Sequence, residues 1–272
     1  MIEDTAPAAP AAPAEPAEPA EPAEHAEPAE HAAPAHPKRR WELSESAWIS
    51  YEPHFMSDEE AAALMGALIE GEEWEQRAIQ VFGNAVNQPR LMSWGGDLPY
   101  RYSGQTLPPR PVPPLLLPLW ARVEEACGER FNHVIINYYR DGRDHIGMHA
   151  DNEAELGQNP TIAAISLGAT RRFVIEPKAR ERGGDRRGRR RKHPEGRQTL
   201  QLHDASLLVM GGDMQHTWRH GLPKAGEREP QGARLNITFR KLLGAPGEVP
   251  RPRRAERPAP SPAEGEMGSQ GS

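Results

Sequence analysis

Two hydrophobic periods divide the chain. In "SDEEAAALMGALIEGEEW" (57–74) apolar residues return at helical spacing behind Ser57 and Glu60, which stand as a capping box, so the pattern predicts a helix. "PLLLPLWARVEEACG" (114–128) predicts a second. After residue 131 the period shortens to two. "FNHVIINYY", "TIAAISLG", "RRFVIEP", "QTLQLH", "SLLVMGG" and "ARLNITFRKL" read as short strands separated by turn residues. Helices followed by many strands predict an α+β domain, with a β-sandwich or jelly roll backed by the helices.

The alternation is cleanest in "ARLNITFR" (233–240). Leu235, Ile237 and Phe239 take one face, and Arg234, Asn236, Thr238 and Arg240 the other. Two readings fit. The polar face can meet water, as in any half-exposed strand. Alternatively, two guanidiniums about 20 Å apart along the strand line a cavity holding an elongated dianion, because guanidinium binds carboxylate through two parallel hydrogen bonds. The strand alone leaves both open.

Composition narrows the domain. Residues 5–37 are an Ala-Glu-Pro repeat without a large aliphatic side chain. Such a segment buries too little apolar surface to offset its ordering entropy, so residues 1–40 are expected to be a disordered tail, and 246–272 another. One domain over 41–245, about 205 residues, is long enough for a full core. The chain carries a net charge of −6, but its first 37 residues hold eight acidic groups and no basic one. Without them the balance is about +2, which permits a nucleic-acid partner without requiring one. Residues 178–197 hold ten Lys or Arg against three acids, and read as a solvated insertion loop or as a loop that contacts phosphates. Cys127 is the only cysteine, so no intrachain disulfide framework is expected. No signal peptide or apolar run long enough to span a bilayer is found, so a soluble, cytoplasmic protein is expected, nuclear if the cell is eukaryotic; a monomer is expected as well.

Candidate chemistry enters with "NYYRDGRDHIGMHAD" (137–151). His149 and Asp151 are two apart, and on a strand both point the same way. With one distant histidine they would complete a facial triad, the arrangement suited to non-haem Fe(II). "QHTWRHGLPK" (215–224) offers two, His216 and His220. Both share a face on a strand, and both share a face on a helix, so spacing does not separate them. His145 and His203 lack such a companion and read as surface or supporting histidines.

In order and spacing, these segments resemble the AlkB family of alkylation-repair dioxygenases. The resemblance is carried by "NYYRDGRDHIGMHADNEAEL", "IAAISLGATRRFVIEPK", "SLLVMGGDMQHTWRHGLPK", "ARLNITFRKL" and, upstream, "VFGNAVNQPRLMSWGGDLPYRYSG". The blocks span most of residues 45–243, leave the tails and the basic insertion uncovered, and are most similar to the branch with the human DNA-repair homologues. The resemblance implies a double-stranded β-helix core. It also implies a choice of histidine: the family's ligand lies in Trp-x-His-x-(Leu/Val)-Pro, here "WRHGLP", which selects His220. His149, Asp151 and His220 would then hold Fe(II) and carry catalysis. 2-Oxoglutarate would be the dianion, with Arg234, Tyr139 and Thr238 at its distal carboxylate and Arg240 and Asn137 at the iron-chelating end. With dioxygen, the implied reaction is oxidative demethylation of 1-methyladenine or 3-methylcytosine in DNA, with RNA a further candidate, releasing formaldehyde.

The resemblance places Tyr100 and Tyr102 near a flipped base and Phe82 in the gap that the base leaves. Core aromatics are the plain alternative for all three. One position departs from the family: "HADNE" carries Asn152 where a second Asp is common. That residue touches the base in relatives, and Asn both donates and accepts where Asp only accepts, which bears on base preference. Two other functions compete: the same fold and triad acting on a protein substrate, and a non-enzymatic nucleic-acid-binding module. A binder needs neither the triad nor the two arginines.

Overall fold

The computed structural model describes residues 38–81, 84–102, 104–178 and 196–244. All of the expected N-terminal tail but residues 38–40, the whole of the expected C-terminal tail, nearly all of the basic insertion and Phe82 lie outside the described residues. In chain order the elements are β1 (Arg39–Glu42), β2 (Ala47–Glu52), α1 (Asp58–Gly71), β3 (Ala78–Val81), β4 (Asn84–Asn87), β5 (Leu91–Gly96), β6 (Tyr100–Tyr102) and β7 (Gln105–Leu107). They continue with α2 (Leu117–Cys127), β8 (His133–Tyr139), β9 (Ile146–His149), β10 (Ile162–Gly168), β11 (Arg171–Pro177) and β12 (Gln198–Leu202). The last are β13 (Ser206–Gly212), the single turn α3 (Met214–Thr217), β14 (Trp218–Leu222) and β15 (Arg234–Arg240).

Both predicted helices form. The Ser57 side chain accepts the Glu60 N–H, starting α1 as the capping box requires. That helix stops at Gly71 rather than at Trp74, because Glu72 turns extended and the Trp74 indole folds back to donate to the Ile69 carbonyl. At the far end of α2, Gly128 adopts the left-handed conformation that closes a helix.

Two antiparallel sheets carry the fold, one of seven strands in the order β1-β2-β13-β10-β15-β8-β5 and one of four in the order β12-β11-β14-β9. Among the described residues neither sheet closes into a barrel. Period-two alternation splits the large sheet between two cores. Val134, Ile136, Ala163, Ile165, Leu207, Val209, Leu235, Ile237 and Phe239 pack with Leu68, Leu119 and Val123 of the helices. Ile135, Ile162, Ala164, Leu208 and Met210 face the other way, toward Phe173, Ile175 and Trp218 of the small sheet. Helices, large sheet and small sheet therefore stack in three layers. In consequence β15, flanked by β10 and β8, is buried on both faces, and Arg234 and Arg240 are 0% and 3% exposed. The solvated-strand reading is excluded.

Three expectations need correction. Strands β1 to β7 precede residue 131, where helices alone were expected. They escape a periodicity search because they are short and some are two-sided: Leu91–Gly96 is buried at nearly every position. Strand β1 also overlaps the last residues of the expected tail, where Arg39 and Arg40 pair with β2 and the Arg40 guanidinium stacks on Trp48. Finally, His216 shares no strand face with His220, because it lies in α3, one turn before β14 begins. That turn starts at Gly212, whose φ of +66° and close approach to the Ser46 carbonyl exclude a side chain.

Truncating Ile237, which is fully buried against the helices, is expected to lower unfolding free energy by roughly 2–5 kcal/mol. Urea denaturation of Ile237→Ala measures it, and a loss below about 1 kcal/mol would contradict the layer assignment.

Candidate metal centre and its pocket

Strands β9 and β14 are antiparallel neighbours, and their register sets His149 directly opposite His220. The two rings lie 4.4 Å apart at their centroids. The two strands run close beside this pair: at Gly221 a Cβ would stand only 3.0 Å from the Gly147 carbonyl and Met148 Sδ. Asp151 reaches the same point differently from the strand alternation expected. β9 ends at His149, and Asp151 lies beyond it in a non-strand segment. Its Oδ1 nevertheless stands 3.7 Å from His149 Nε2. Ligand atoms of His149, Asp151 and His220 all fall within 4.8 Å of one another, a geometry open to one metal ion.

The ionisation states suit a metal. Burial opposes the Asp151 carboxylate, but Arg240 and the two imidazoles outweigh it and hold the group down to about 2. Burial pushes His220 down to about 3, with His149 and Arg240 adding to it, and lowers His149 too. Near neutrality the trio is therefore one carboxylate and two neutral imidazoles, the forms that ligate. His149 Nδ1 lies 2.9 Å from the Gly147 carbonyl, so a proton there leaves the Nε2 lone pair directed at the site.

The polar face of β15 lines the same pocket, together with Asn137, Tyr139 and Tyr102. Arg240 donates to Asp151 Oδ2 at 2.9 Å, while its Nε and Nη1 are buried without a partner. Arg234 is starker. It donates to Ser166 Oγ at 2.6 Å and more loosely to the Ala169 and Leu202 carbonyls, all neutral acceptors, and its Nε has none. Burial pulls its pKa down to about 10. A buried cation ringed by neutral acceptors calls for an anion. Orphaned donors on both arginines, in a pocket shared with the metal trio, fit a dicarboxylate that also reaches the metal.

The remaining expected residues are placed unequally. Thr238 accepts from Asn236 Nδ2 at 2.7 Å on the pocket face. Tyr102 is at the wall, whereas Tyr100 is sealed behind it and donates to Glu153 at 3.2 Å. Asn152 is exposed. His216 meets the Gln158 carbonyl, His145 is hydrogen-bonded to the Arg143 carbonyl, and His203 neighbours Thr170 Oγ1, all away from the trio. Sequence reasoning missed Arg90, which is 5% exposed and donates to both Asn137 Oδ1 (2.8 Å) and the Tyr102 hydroxyl (3.2 Å). A signal was there: Arg90 keeps period-two step with Met92 and Trp94, a charge on an inward face. Glu153, raised by burial and by Asp151, was missed as well.

Fold and site together fit a class that binds a metal ion beside a dicarboxylate, and the sequence comparison names the family. A profile of the 2OG-Fe(II) oxygenase superfamily matches residues 49–240. Relatives include the rat alpha-ketoglutarate-dependent dioxygenase alkB homolog 3, 37% identical over 72% of this chain and 66% of its own length, and the human homolog 3, 37% identical over 73% and 67%. The bovine DNA oxidative demethylase ALKBH2 is 42% identical over 61% of this chain and 57% of its own. The chain thus spans about two thirds of the length of the homolog 3 relatives and less of ALKBH2. It belongs to the AlkB-like members of the 2OG-Fe(II) oxygenase superfamily, close to the homolog 2 and homolog 3 branch.

One buried group predicts a pH response. Burial, with Arg240 nearby, pushes the His133 imidazole down to about 3. In the unfolded chain it titrates near 6.5, so the stability it contributes is full above about 6.5 and is lost as pH falls toward 3. His133→Phe keeps a ring against Tyr100, where the centroids now lie 5.0 Å apart. The variant's acid destabilisation below pH 6.5 should be shallower by one proton's share, with the site histidines supplying the rest. Urea midpoints at pH 7.5 and 5 report this; parallel curves would refute it.

Proposed function

We propose that this protein is an Fe(II)/2-oxoglutarate-dependent dioxygenase that oxidatively demethylates alkylated bases in nucleic acid, DNA foremost. The observation that carries it is the convergence, in one pocket, of the His149, Asp151 and His220 ligand atoms with the anion-seeking Arg234 and Arg240. The relatives named for DNA demethylation support the substrate class. The two facing sheets support reading the core as a double-stranded β-helix, with the two metal-site histidines on the small sheet and the dianion seat on the large one.

His149, Asp151 and His220 would hold the iron. Arg234, with Tyr139 and Thr238, would seat the distal carboxylate of 2-oxoglutarate, and Arg240 and Asn137 would face its chelating end. When bound, iron, 2-oxoglutarate and dioxygen supply an oxidant for an N-methyl group of the 1-methyladenine or 3-methylcytosine type, with succinate, carbon dioxide and finally formaldehyde released. The chain's own part is positional. Arg90 fixes Asn137 and Tyr102 together, so the co-substrate seat and the pocket wall share one anchor. The apolar flank of Ile146, Phe173 and Leu222 limits water around the site. A methylated base pairs poorly, which favours its extrusion into such a pocket. Tyr102 and Asn152 are the residues assigned to base contact, with Tyr100 buried behind Tyr102, and Phe82 is assigned to the gap left in the stack.

The test is mass spectrometry of methylated single- and double-stranded DNA and RNA oligonucleotides, with and without 2-oxoglutarate. Loss of one CH2 mass as N–CH3 becomes N–H, dependent on 2-oxoglutarate, is expected in at least the DNA, abolished by His220→Ala and retained by His216→Ala. Demethylation that survives His220→Ala would overturn the ligand set, and none on any oligonucleotide would overturn the substrate class. Arg234 touches no metal ligand, so Arg234→Lys isolates the co-substrate seat. It keeps the charge but loses the planar fork, and the 2-oxoglutarate concentration needed for half-maximal succinate formation should rise about tenfold or more. An unchanged requirement would remove Arg234 from the seat.

A further inference from the structure

Asp151 hangs beyond the end of a strand, and its backbone still has to be held. Because β9 ends at His149, the Asp151 N–H has no ladder partner, and at 2% exposure water does not replace one. The N–H donates instead to Gln215 Oε1 at 2.9 Å. Gln215 is itself 1% exposed. Its amide can face only one way: Nε2 lies 3.7 Å from Met210 Sδ, a weak acceptor, and reversal would set an N–H against the Asp151 N–H.

The backbone carrying Gln215 is pinned as well. Lys178 Nζ donates to the Gln215 carbonyl at 2.8 Å, and the α3 turn closes through the His216 and Thr217 amides, both donating to the Asp213 carbonyl. The next side chain, His216, meets the carbonyl of Gln158, in the segment leading away from Asp151. One turn thus grips residues 151–158 at two points, and five residues after Gln215 the same chain delivers His220.

We propose that Gln215 is a positioning residue for the metal centre. Its side-chain carbonyl replaces the missing ladder acceptor and fixes the Asp151 backbone so that the carboxylate faces His149 and His220. Arg240 restrains Oδ2 and Gln215 restrains the backbone, which leaves Oδ1 for the metal. The inference rests on the metal-site reading above.

Co(II) is the probe, added to the full chain without nucleic acid or 2-oxoglutarate. Gln215→Leu should weaken Co(II) binding about tenfold or more and alter its visible absorption bands. Gln215→Glu retains an acceptor oxygen and should bind Co(II) with the spectrum of the unaltered chain. Unchanged affinity and spectrum in the Leu variant, or equal loss in both variants, would overturn the proposal. A second measurement needs no variant: in EDTA, the Asp151 amide of the unaltered protein should exchange with deuterium far more slowly than an exposed loop amide. Exchange at the exposed rate overturns the Gln215 contact. Failure of the unaltered chain to bind Co(II) would count against the metal-site reading instead, while amide exchange still judges Gln215.

Discussion

Two guanidiniums buried on the inner face of one strand set the terms for this fold. Taking a charge out of water costs several kcal/mol even after relaxation, and β15 does it twice, at Arg234 and Arg240. The costs are met differently. Arg240 faces the Asp151 carboxylate directly, and the pair hold each other charged against burial. Arg234 has only a hydroxyl and two carbonyls for partners, and burial draws its pKa down. One arginine therefore belongs to the metal ligands and the other waits on a second anion. This asymmetry along the seven residues of β15 gives the pocket its two ends.

Sheet geometry then brings the parts together. Cross-strand register delivers two ligands without any loop, since His149 and His220 are opposed residues on β9 and β14. The third comes from outside the ladder, and a loop ligand needs restraints that a strand ligand has already. Asp151 has one on its carboxylate and one on its amide. The same logic recurs at Asn137, which Arg90 anchors from the strand edge. Residues that touch no metal hold those that would, through buried hydrogen bonds whose partners sit far away in sequence.

That distance explains what the sequence could and could not reveal. Both helices and six of the eight described strands after residue 131 were legible from period alone, because each is amphipathic or continuously apolar within its own length; the short β9 and β14 were not. The inward polar face of "ARLNITFR" was visible as a pattern but not as a burial, since a strand does not declare what covers its second face. The choice between His216 and His220 was never in the period. It depends on a single turn, α3, that takes His216 off the strand before β14 starts, and the resemblance to a family supplied the answer that spacing withheld. Arg90, Glu153 and Gln215 stayed hidden because their partners are 47, 53 and 64 residues away.

The pocket side of the large sheet carries polar residues where a core would want apolar ones. Arg90 keeps step with Met92 and Trp94, His133 with Ile135, and Arg234 and Arg240 share a strand with Leu235, Ile237 and Phe239. Each breaks the local rule that inward positions are apolar, and each lies within reach of the same pocket. A structure built for stability alone would gain by replacing such groups with well-packed hydrocarbons. Their clustering on one side of one sheet, while the opposite face packs Val134, Ile136, Ile165, Val209, Leu235, Ile237 and Phe239 against the helices, separates the two tasks in space. The helix-facing core holds the molecule together, and the other core carries charges whose burial makes sense only with a metal and an anion beside them.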